Sequence, residues 1–239
     1  FIQKAMNIEF VQSNYIIAIA LLIGTPFFVV FGGWSDKIGR KGIMMAGMLL
    51  GIFLYRPIYK EMYKLTDLSQ KQERTEASSV IRNASLIDAT ADSLITTTTH
   101  KEFTDGTIYQ EVITETKSAG VTSVTGNTVK EVTLSGASCW TLVFLIAVQV
   151  LFVTMVYGPV AAFLVELFPT AIRYTSMSLP YHIGNGVFGG LTPFIAISLT
   201  SLPGATPFDG LWYPIGVASI SVIIGMVYLK KNFVANSIK

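Results

Sequence analysis

A short charged stretch, residues 32–41 (GGWSDKIGRK), interrupts the most apolar part of the chain. Its charged side chains are Asp36, Lys37, Arg40 and Lys41. Basic residues between two apolar segments anchor a loop at the anionic cytoplasmic face of a membrane. Gly32 and Gly39 permit a close helix approach and a tight turn, because a residue without Cβ admits positive φ. Anchoring alone requires neither these glycines nor Asp36, so the spacing predicts a specific motif.

A second set of residues could contact a small molecule inside a membrane. Polar side chains are costly within an apolar segment, so they face a bundle interior or a cavity. Tyr181 and Asn185 are four residues apart and would share one helix face. His182 can titrate near neutral pH, which is compatible with proton coupling and also with simple helix packing. The candidates for a substrate cavity are Thr25, Gln149, Thr154, Tyr157, Tyr181, His182 and Asn185.

These residues lie in segments long enough to cross a bilayer. The 239-residue chain is 51% hydrophobic and 13% charged, whereas about 25% of a soluble domain is charged. A membrane-spanning helix needs roughly 17 to 25 apolar residues. The segments that meet this requirement are 15–34, 43–59, 140–165, 178–202 and 211–229. The composition therefore predicts an all-α polytopic membrane protein, and the opening FIQKAMNIEF is typical of the end of an earlier helix in a longer protein.

A polar insert, residues 60–138, separates the second apolar segment from the third. Its 79 residues hold 11 acidic and 8 basic side chains, for a net charge of −3. Residues 67–84 have helix-compatible spacing with Asp67 as a cap, whereas 105–117 and 127–136 alternate apolar and polar residues as strands do. Asp-Gly and Gly-Asn pairs indicate turns. We expect a small, partly β cap, and a solvated loop is the alternative.

The basic residues predict which side of the membrane each connection faces. Outside the insert, most of them fall within 35–42, 166–176 and 230–239. Short basic connections stay in the cytoplasm, whereas long loops cross the membrane regardless of their charge. The pattern places these three connections and the carboxyl terminus in the cytoplasm. The start of the chain, the insert and residues 203–210 fall on the periplasmic or extracellular side.

The charged stretch resembles the signature loop of the major facilitator superfamily. The matching residues are Gly32, Asp36, Lys37, Gly39, Arg40 and Lys41. Residues 159–199 resemble the tenth and eleventh helices of the metabolite:proton symporter family, and 55–62 resemble the end of its ninth helix. The resemblance implies a carboxyl-terminal helical bundle in three parts. These are residues 1–59 with the end of helix seven and helices eight and nine, the insert 60–138, and residues 139–239 with helices ten to twelve and a short tail.

The resemblance also implies a secondary transporter that works by alternating access. It would place Asp36 near the amino end of the eleventh helix, where the helix dipole favours a carboxylate. Arg40 would then lie close to Glu166, with Arg173 nearby, and this cluster would hold the cytoplasmic side closed. Members of the family carry organic acids or zwitterions together with protons. We therefore expect proton-coupled symport of an organic acid in the cytoplasmic (inner) membrane, with the coupling residues in an amino-terminal six-helix half.

Two other functions remain open. One is a sugar facilitator, which would have a Pro-Glu-Thr-like segment after its last helix, and residues 230–239 lack such a segment. The other is a receptor that senses a ligand through the insert. The sequence has no phosphate-binding loop, no metal-ligand spacing and no catalytic triad order, so we expect no enzyme activity, cofactor or metal. Its basic residues follow a membrane face, which disfavours nucleic-acid binding.

Arg56 departs from the family pattern, which has an aromatic residue before the proline that is Pro57 here. It lies near the outer end of the second apolar segment. We expect the guanidinium to reach the outer lipid headgroups, because a long basic side chain can bury its stem and keep its charge in water. Contact with the acidic insert is the alternative.

Overall fold

The computed structural model describes residues 1–87, 92–117 and 125–228. The chain divides into two compact units, which are described separately. The first unit comprises Phe1–Ile17 and Met62–Val143, and the second comprises the described residues of Ala18–Glu61 and Phe144–Lys239.

The described residues contain five helical segments that are long and apolar enough to cross a membrane. They contain four of the five apolar segments predicted from the sequence, as far as the described residues extend, and the helix that matches the segment 178–202 ends two residues earlier, at Thr200. The prediction of a helical polytopic membrane protein is confirmed at this level. The segments are Phe10–Ile38, Arg40–Lys64, Gly136–Leu167, Arg173–Thr200 and Asp209–Tyr228. Their helices are α1 (Phe10–Gly24), α2 (Pro26–Ile38), α3 (Arg40–Lys64), α4 (Gly136–Leu167), α5 (Arg173–His182), a π-helix (Ile183–Gly189), α6 (Gly190–Thr200) and α7 (Trp212–Tyr228), with a 3₁₀ turn at Asp209–Leu211.

In the second unit, α4 packs closely against both α2 and α3. A Cβ atom added to Gly158 would lie 3.0 Å from the carbonyl oxygen of Phe28 and 3.3 Å from the backbone nitrogen of Gly32. A Cβ added to Gly47 on α3 would lie 3.0 Å from the carbonyl oxygen of Phe152. Glycine lets helix backbones come this near in a membrane, where packing rather than water exclusion holds helices together. The sequence prediction that Gly32 serves a close approach agrees with this contact.

The first unit contains an antiparallel sheet with the order β1-β2-β3-β4. Its strands are β1 (Ser79–Ile87), β2 (Asp92–Glu102), β3 (Ile108–Lys117) and β4 (Thr125–Thr133). The register pairs Ser79 with His100 and Ile108 with Thr133. The two segments predicted as strands correspond to β3 and β4, because period-2 alternation suits a half-buried sheet.

The Asp-Gly turn between β2 and β3 forms as predicted. Gly106 adopts a φ of +84°, a conformation that glycine takes without steric penalty. The carboxylate of Asp105 accepts hydrogen bonds from Thr107 and, at 2.8 Å, from the ammonium of Lys71. Burial opposes ionisation of Asp105, but the hydrogen bonds from Lys71 and Thr107 outweigh it and lower the pKa of this carboxyl.

Two local predictions in the insert are wrong. Asp67 does act as a cap, accepting from the backbone of Ser69, but it caps only a 3₁₀ turn, Leu68–Gln70, and the chain then enters β1. Pairing with β2 overrides the local helix spacing, since β-branched residues such as Val80 and Ile81 suit a strand. The Gly-Asn pair at 126–127 lies inside β4, opposite β3, and makes no turn.

The start of the chain is tied to the sheet. Residues 2–5 form a turn, with the Ala5 amide donating to the carbonyl of Phe1. Ile8 forms a parallel bridge with Val132 of β4. The side-chain amide of Gln12 donates to and accepts from the backbone of Leu134, as a neighbouring strand would. These bonds cover part of the β4 edge, which would otherwise expose unpaired backbone groups.

Candidate functional site

The turn between α2 and α3 positions the charged side chains of the 32–41 stretch. Gly39 has a φ of +100°, and its amide donates to the carbonyl of Ser35 at 3.0 Å. Glycine takes this positive φ without the steric cost of a Cβ, and α2 ends here. Arg40 then begins α3 directly, so it stands one helical turn after Asp36 at the same end of the bundle.

Arg40 is the centre of an ion-pair network that joins three helices. Its Nε and Nη2 donate to the two carboxylate oxygens of Glu166 at 2.8 and 2.6 Å, and its Nη1 lies 3.0 Å from Oδ1 of Asp36. Glu166 is in the last turn of α4. The exposed fractions of the side chains are 16% for Arg40, 28% for Glu166 and 60% for Asp36. A two-pronged, largely buried guanidinium-carboxylate pair is the strong form of an ion pair, whereas an exposed pair contributes little.

The other charged residues of the motif have separate contacts. Lys41 Nζ donates to the carbonyl of Met226 at 3.3 Å, in the last turn of α7. A cation there satisfies an unpaired helix carbonyl and the negative end of the helix dipole. Lys37 is exposed. Arg173 donates to the carbonyl of Phe168 at 3.2 Å, so the structure places it at the start of α5 and outside the Arg40 network. The Asp36 carboxylate pairs with Arg40, and among the described residues it forms no ion pair with α5.

A cavity of about 630 Å³ lies among α4, the α5–π-helix segment and α7. Three of the predicted cavity residues line it together: Tyr157, Tyr181 and Asn185. The hydroxyl of Tyr157 donates to Oδ1 of Asn185 at 3.0 Å. Ser221 on α7 also lines the cavity and was missed by the sequence analysis, where a serine in an apolar helix gave no distinguishing signal. The arrangement can hold a small molecule by apolar contact and a few hydrogen bonds.

The remaining cavity candidates do not line this space. Thr25 donates to the carbonyl of Leu21 at the junction of α1 and α2. Gln149 contacts the carbonyl of Leu145 on its own helix. Thr154 is fully buried and donates to the carbonyl of Leu151. His182 is exposed, and its Nδ1 lies 2.8 Å from the carbonyl oxygen of Ser178, one turn earlier.

The π-helix at Ile183–Gly189 was not predicted. It supplies Gly184, Asn185 and Phe188 to the cavity wall. Short π-helical segments recur at functional sites, because the wider turn displaces side chains from regular helix positions. The glycine-rich sequence IGNGVFGG was the available signal, since glycine tolerates irregular helix geometry.

Arg56 has a partner that neither sequence interpretation anticipated. Its Nη2 lies 3.4 Å from Oδ1 of Asp209, and its guanidinium carbon lies 4.3 Å from the ring centre of Trp212. Asp209 lies in the 3₁₀ turn before α7, and Trp212 is the first residue of α7. A guanidinium over an indole face is attracted by the ring quadrupole. Arg56 thus connects α3 to the start of α7, at the end of the bundle opposite to Arg40.

Partial matches link the chain to curated transporters. The alpha-ketoglutarate permease of Escherichia coli (strain K12) is 30% identical over 67 residues, which is 28% of this chain and 15% of the permease. The citrate-proton symporter of Salmonella typhi is 36% identical over 61 residues, 26% of this chain and 14% of the symporter. The citrate-proton symporter of Klebsiella pneumoniae is 31% identical over 78 residues, which is 33% of this chain and 17% of that symporter.

The matched part of this chain thus spans less than a fifth of the length of these relatives. No family model matches the chain, and no solved structure matches it. Together with five helices long enough to span a bilayer, the relatives support a membrane location and a role in transport.

Proposed function

We propose that this chain forms part of a secondary active transporter that carries an organic acid together with protons across the cytoplasmic membrane by alternating access. The observation that carries the proposal is the Arg40–Glu166 pair, with Asp36 beside it. Such a network holds the ends of α2, α3 and α4 together while it is closed. The named relatives, an alpha-ketoglutarate permease and citrate-proton symporters, support the choice of an organic acid.

The placement of the connections supports one orientation in the membrane. The α2–α3 turn, the end of α4 and the end of α7 lie at one end of the bundle, as the Arg40–Glu166 and Lys41–Met226 contacts show. We assign this end to the cytoplasm, since it carries the short basic loop. The insert then lies on the periplasmic or extracellular side, and the carboxyl terminus is cytoplasmic.

In this mechanism the Arg40 network, at the assigned cytoplasmic end, forms one half of a gate that opens when the bundle moves. The transmembrane segment Arg173–Thr200 has no buried residue among its described residues. We expect a second helical bundle of the same transporter to pack against it and to supply the proton-coupling groups.

Uptake by vesicles tests the proposal. The full-length protein that contains this chain is reconstituted into vesicles. A labelled organic acid, taken in turn from citrate, α-ketoglutarate and 4-methyl-2-oxopentanoate, is added outside under an imposed proton gradient. We expect accumulation that stops when a protonophore collapses the gradient, since symport draws its free energy from that gradient. Accumulation that is insensitive to the protonophore would contradict proton coupling. Binding without uptake of any acid or sugar would favour a receptor.

A further inference from the structure

The cavity among α4, the π-helix and α7 has an uncharged wall. Its polar lining residues, among those described, are Tyr157, Tyr181, Asn185 and Ser221, and the others are apolar or glycine. A carboxylate is costly to bury without an opposite charge or several donors. This wall therefore suits the uncharged part of a ligand rather than its acidic groups.

Two hydrogen-bonding groups at this wall have no partner within the described chain. The Tyr157 hydroxyl occupies Oδ1 of Asn185, which leaves the Nδ2 group of that amide as a free donor of two hydrogens. The hydroxyl of Tyr181 is also without a hydrogen bond to any described residue. Ser221, by contrast, already donates to the carbonyl of Val217 at 2.8 Å. Asn185 and Tyr181 can thus donate to an acceptor oxygen of a ligand.

The rest of the wall suits a hydrocarbon group. Val160 and Leu164 of α4, Phe188 of the π-helix and Ile224 of α7 contribute apolar surface. Small-molecule sites are typically mostly apolar cavities of about 300 to 1,000 Å³ with a few convergent polar groups. At about 630 Å³, this cavity has that size and composition.

The backbone gives independent support for a ligand site. Asn185 lies within the π-helix Ile183–Gly189, between two helices of regular geometry. π-Helical segments are rare and occur frequently at functional sites. The irregular segment coincides with the part of the span that carries the free amide donor.

We propose that this cavity binds the hydrocarbon body and the 2-oxo oxygen of an organic monoacid, with Asn185 and Tyr181 as the donors. It thereby selects monoacids with apolar side chains over di- and tricarboxylates. The inference rests on the proposed function for the movement of the acid across the membrane. The carboxylate of the bound acid lies outside the cavity and contacts groups that do not line it.

A matched pair of probes tests the selectivity. 4-Methyl-2-oxopentanoate and α-ketoglutarate are both 2-oxo acids, and they differ in having a branched alkyl end or a second carboxylate. Binding is measured on the purified full-length protein by thermal unfolding across a concentration series of each acid. We expect the monoacid to bind about tenfold tighter, a modest difference for removal of one unpaired charge. Equal or tighter binding of α-ketoglutarate would overturn the inference.

Variants test the assigned residues. Asn185→Leu removes the amide donor at similar size and should weaken 4-methyl-2-oxopentanoate binding by about tenfold. Thr192→Val on the same span is the matched control, because Thr192 does not line the cavity. Equal affinity of the Asn185→Leu protein and the unaltered protein for this acid would overturn the assignment. A phospholipid acyl chain that cross-links at Tyr181 and is not displaced by the acid would also overturn it, because lipid would then occupy the cavity. The binding measurement does not depend on transport. Failure of proton-driven uptake with normal binding would therefore contradict the proposed function and leave this inference standing.

Discussion

At the scale of single residues, Arg40 has a larger part in the charged motif than the sequence spacing indicated. The spacing singled out Asp36, and the family resemblance implied a partner at the start of the eleventh helix. In the structure Asp36 is mostly exposed and pairs with Arg40, which in turn binds Glu166 through two hydrogen bonds. The contact between Arg40 and Glu166 was expected from the resemblance. Arg173 was also expected near this cluster, and its guanidinium donates to the carbonyl of Phe168.

The two carboxylates should therefore respond differently to neutralisation. Glu166→Gln leaves Arg40 without its buried counter-charge and should lower both proton-driven uptake and the free energy of unfolding, the latter by about 1–3 kcal/mol. Asp36→Asn should change the unfolding free energy by less than about 1 kcal/mol, because that pair is exposed. It should still reduce uptake strongly if Asp36 takes part in the gate. Thermal unfolding and vesicle uptake of both variants separate the two effects.

The outcomes of this comparison are distinct. Normal uptake by the Asp36→Asn protein would remove Asp36 from the gate. Unchanged stability and uptake in the Glu166→Gln protein would show that the two-pronged pair is dispensable, and the proposed gate would then lose its basis.

At the scale of elements, glycine contacts decide how α4 packs. The sequence shows the glycines but not which helix each one approaches, because that depends on pairing between distant segments. Gly32 and Gly158 meet at the α2–α4 crossing, whereas a Cβ at Gly33 would have no described heavy atom within 4 Å. Hydrophobic composition was enough to predict the helices themselves. It could not reveal the π-helix, or the pairing of Arg56 with Asp209, which depends on the approach of α3 to the turn before α7.

A pair of alanine substitutions tests the α2–α4 crossing. Gly158→Ala would bring a methyl group to 3.0 Å from the carbonyl oxygen of Phe28 and 3.3 Å from the backbone nitrogen of Gly32. Backbone atoms cannot rotate away, so the helices must separate, at a cost of roughly 1–3 kcal/mol. Gly33→Ala adds the same methyl group on α2 into open space and should be neutral or slightly stabilising. The measurement is thermal unfolding in detergent, and equal midpoints for the two variants would contradict this packing.

At the scale of the whole molecule, the sequence predicted the five membrane-spanning segments well and the insert only in part. Apolar runs of this length have few alternatives in a membrane protein. In the insert, β3 and β4 were predicted from their alternation, but β1 was not, because its sequence is compatible with a helix until β2 pairs with it. Residues 88–91 and 118–124 of the insert lie outside the described residues. The bridge from Ile8 to Val132 joins residues 124 apart in sequence, a pairing that local patterns cannot show.

Two deletions test whether the insert is an accessory cap. Deletion of residues 66–136 removes the sheet together with Val132 and Leu134, which bind the start of the chain. Deletion of 72–129, closed by a flexible Gly-Ser linker, removes most of the sheet but keeps these two residues and their bonds to Asn7, Glu9 and Gln12. We expect the shorter deletion to retain most of the proton-driven uptake, since neither the Arg40 network nor the cavity includes an insert residue. The larger deletion should unfold at a lower temperature, because it leaves the backbone of residues 7–9 and the amide of Gln12 without partners. If the shorter deletion is as stable as the intact protein but no longer binds or transports the acid, the insert takes part in substrate recognition.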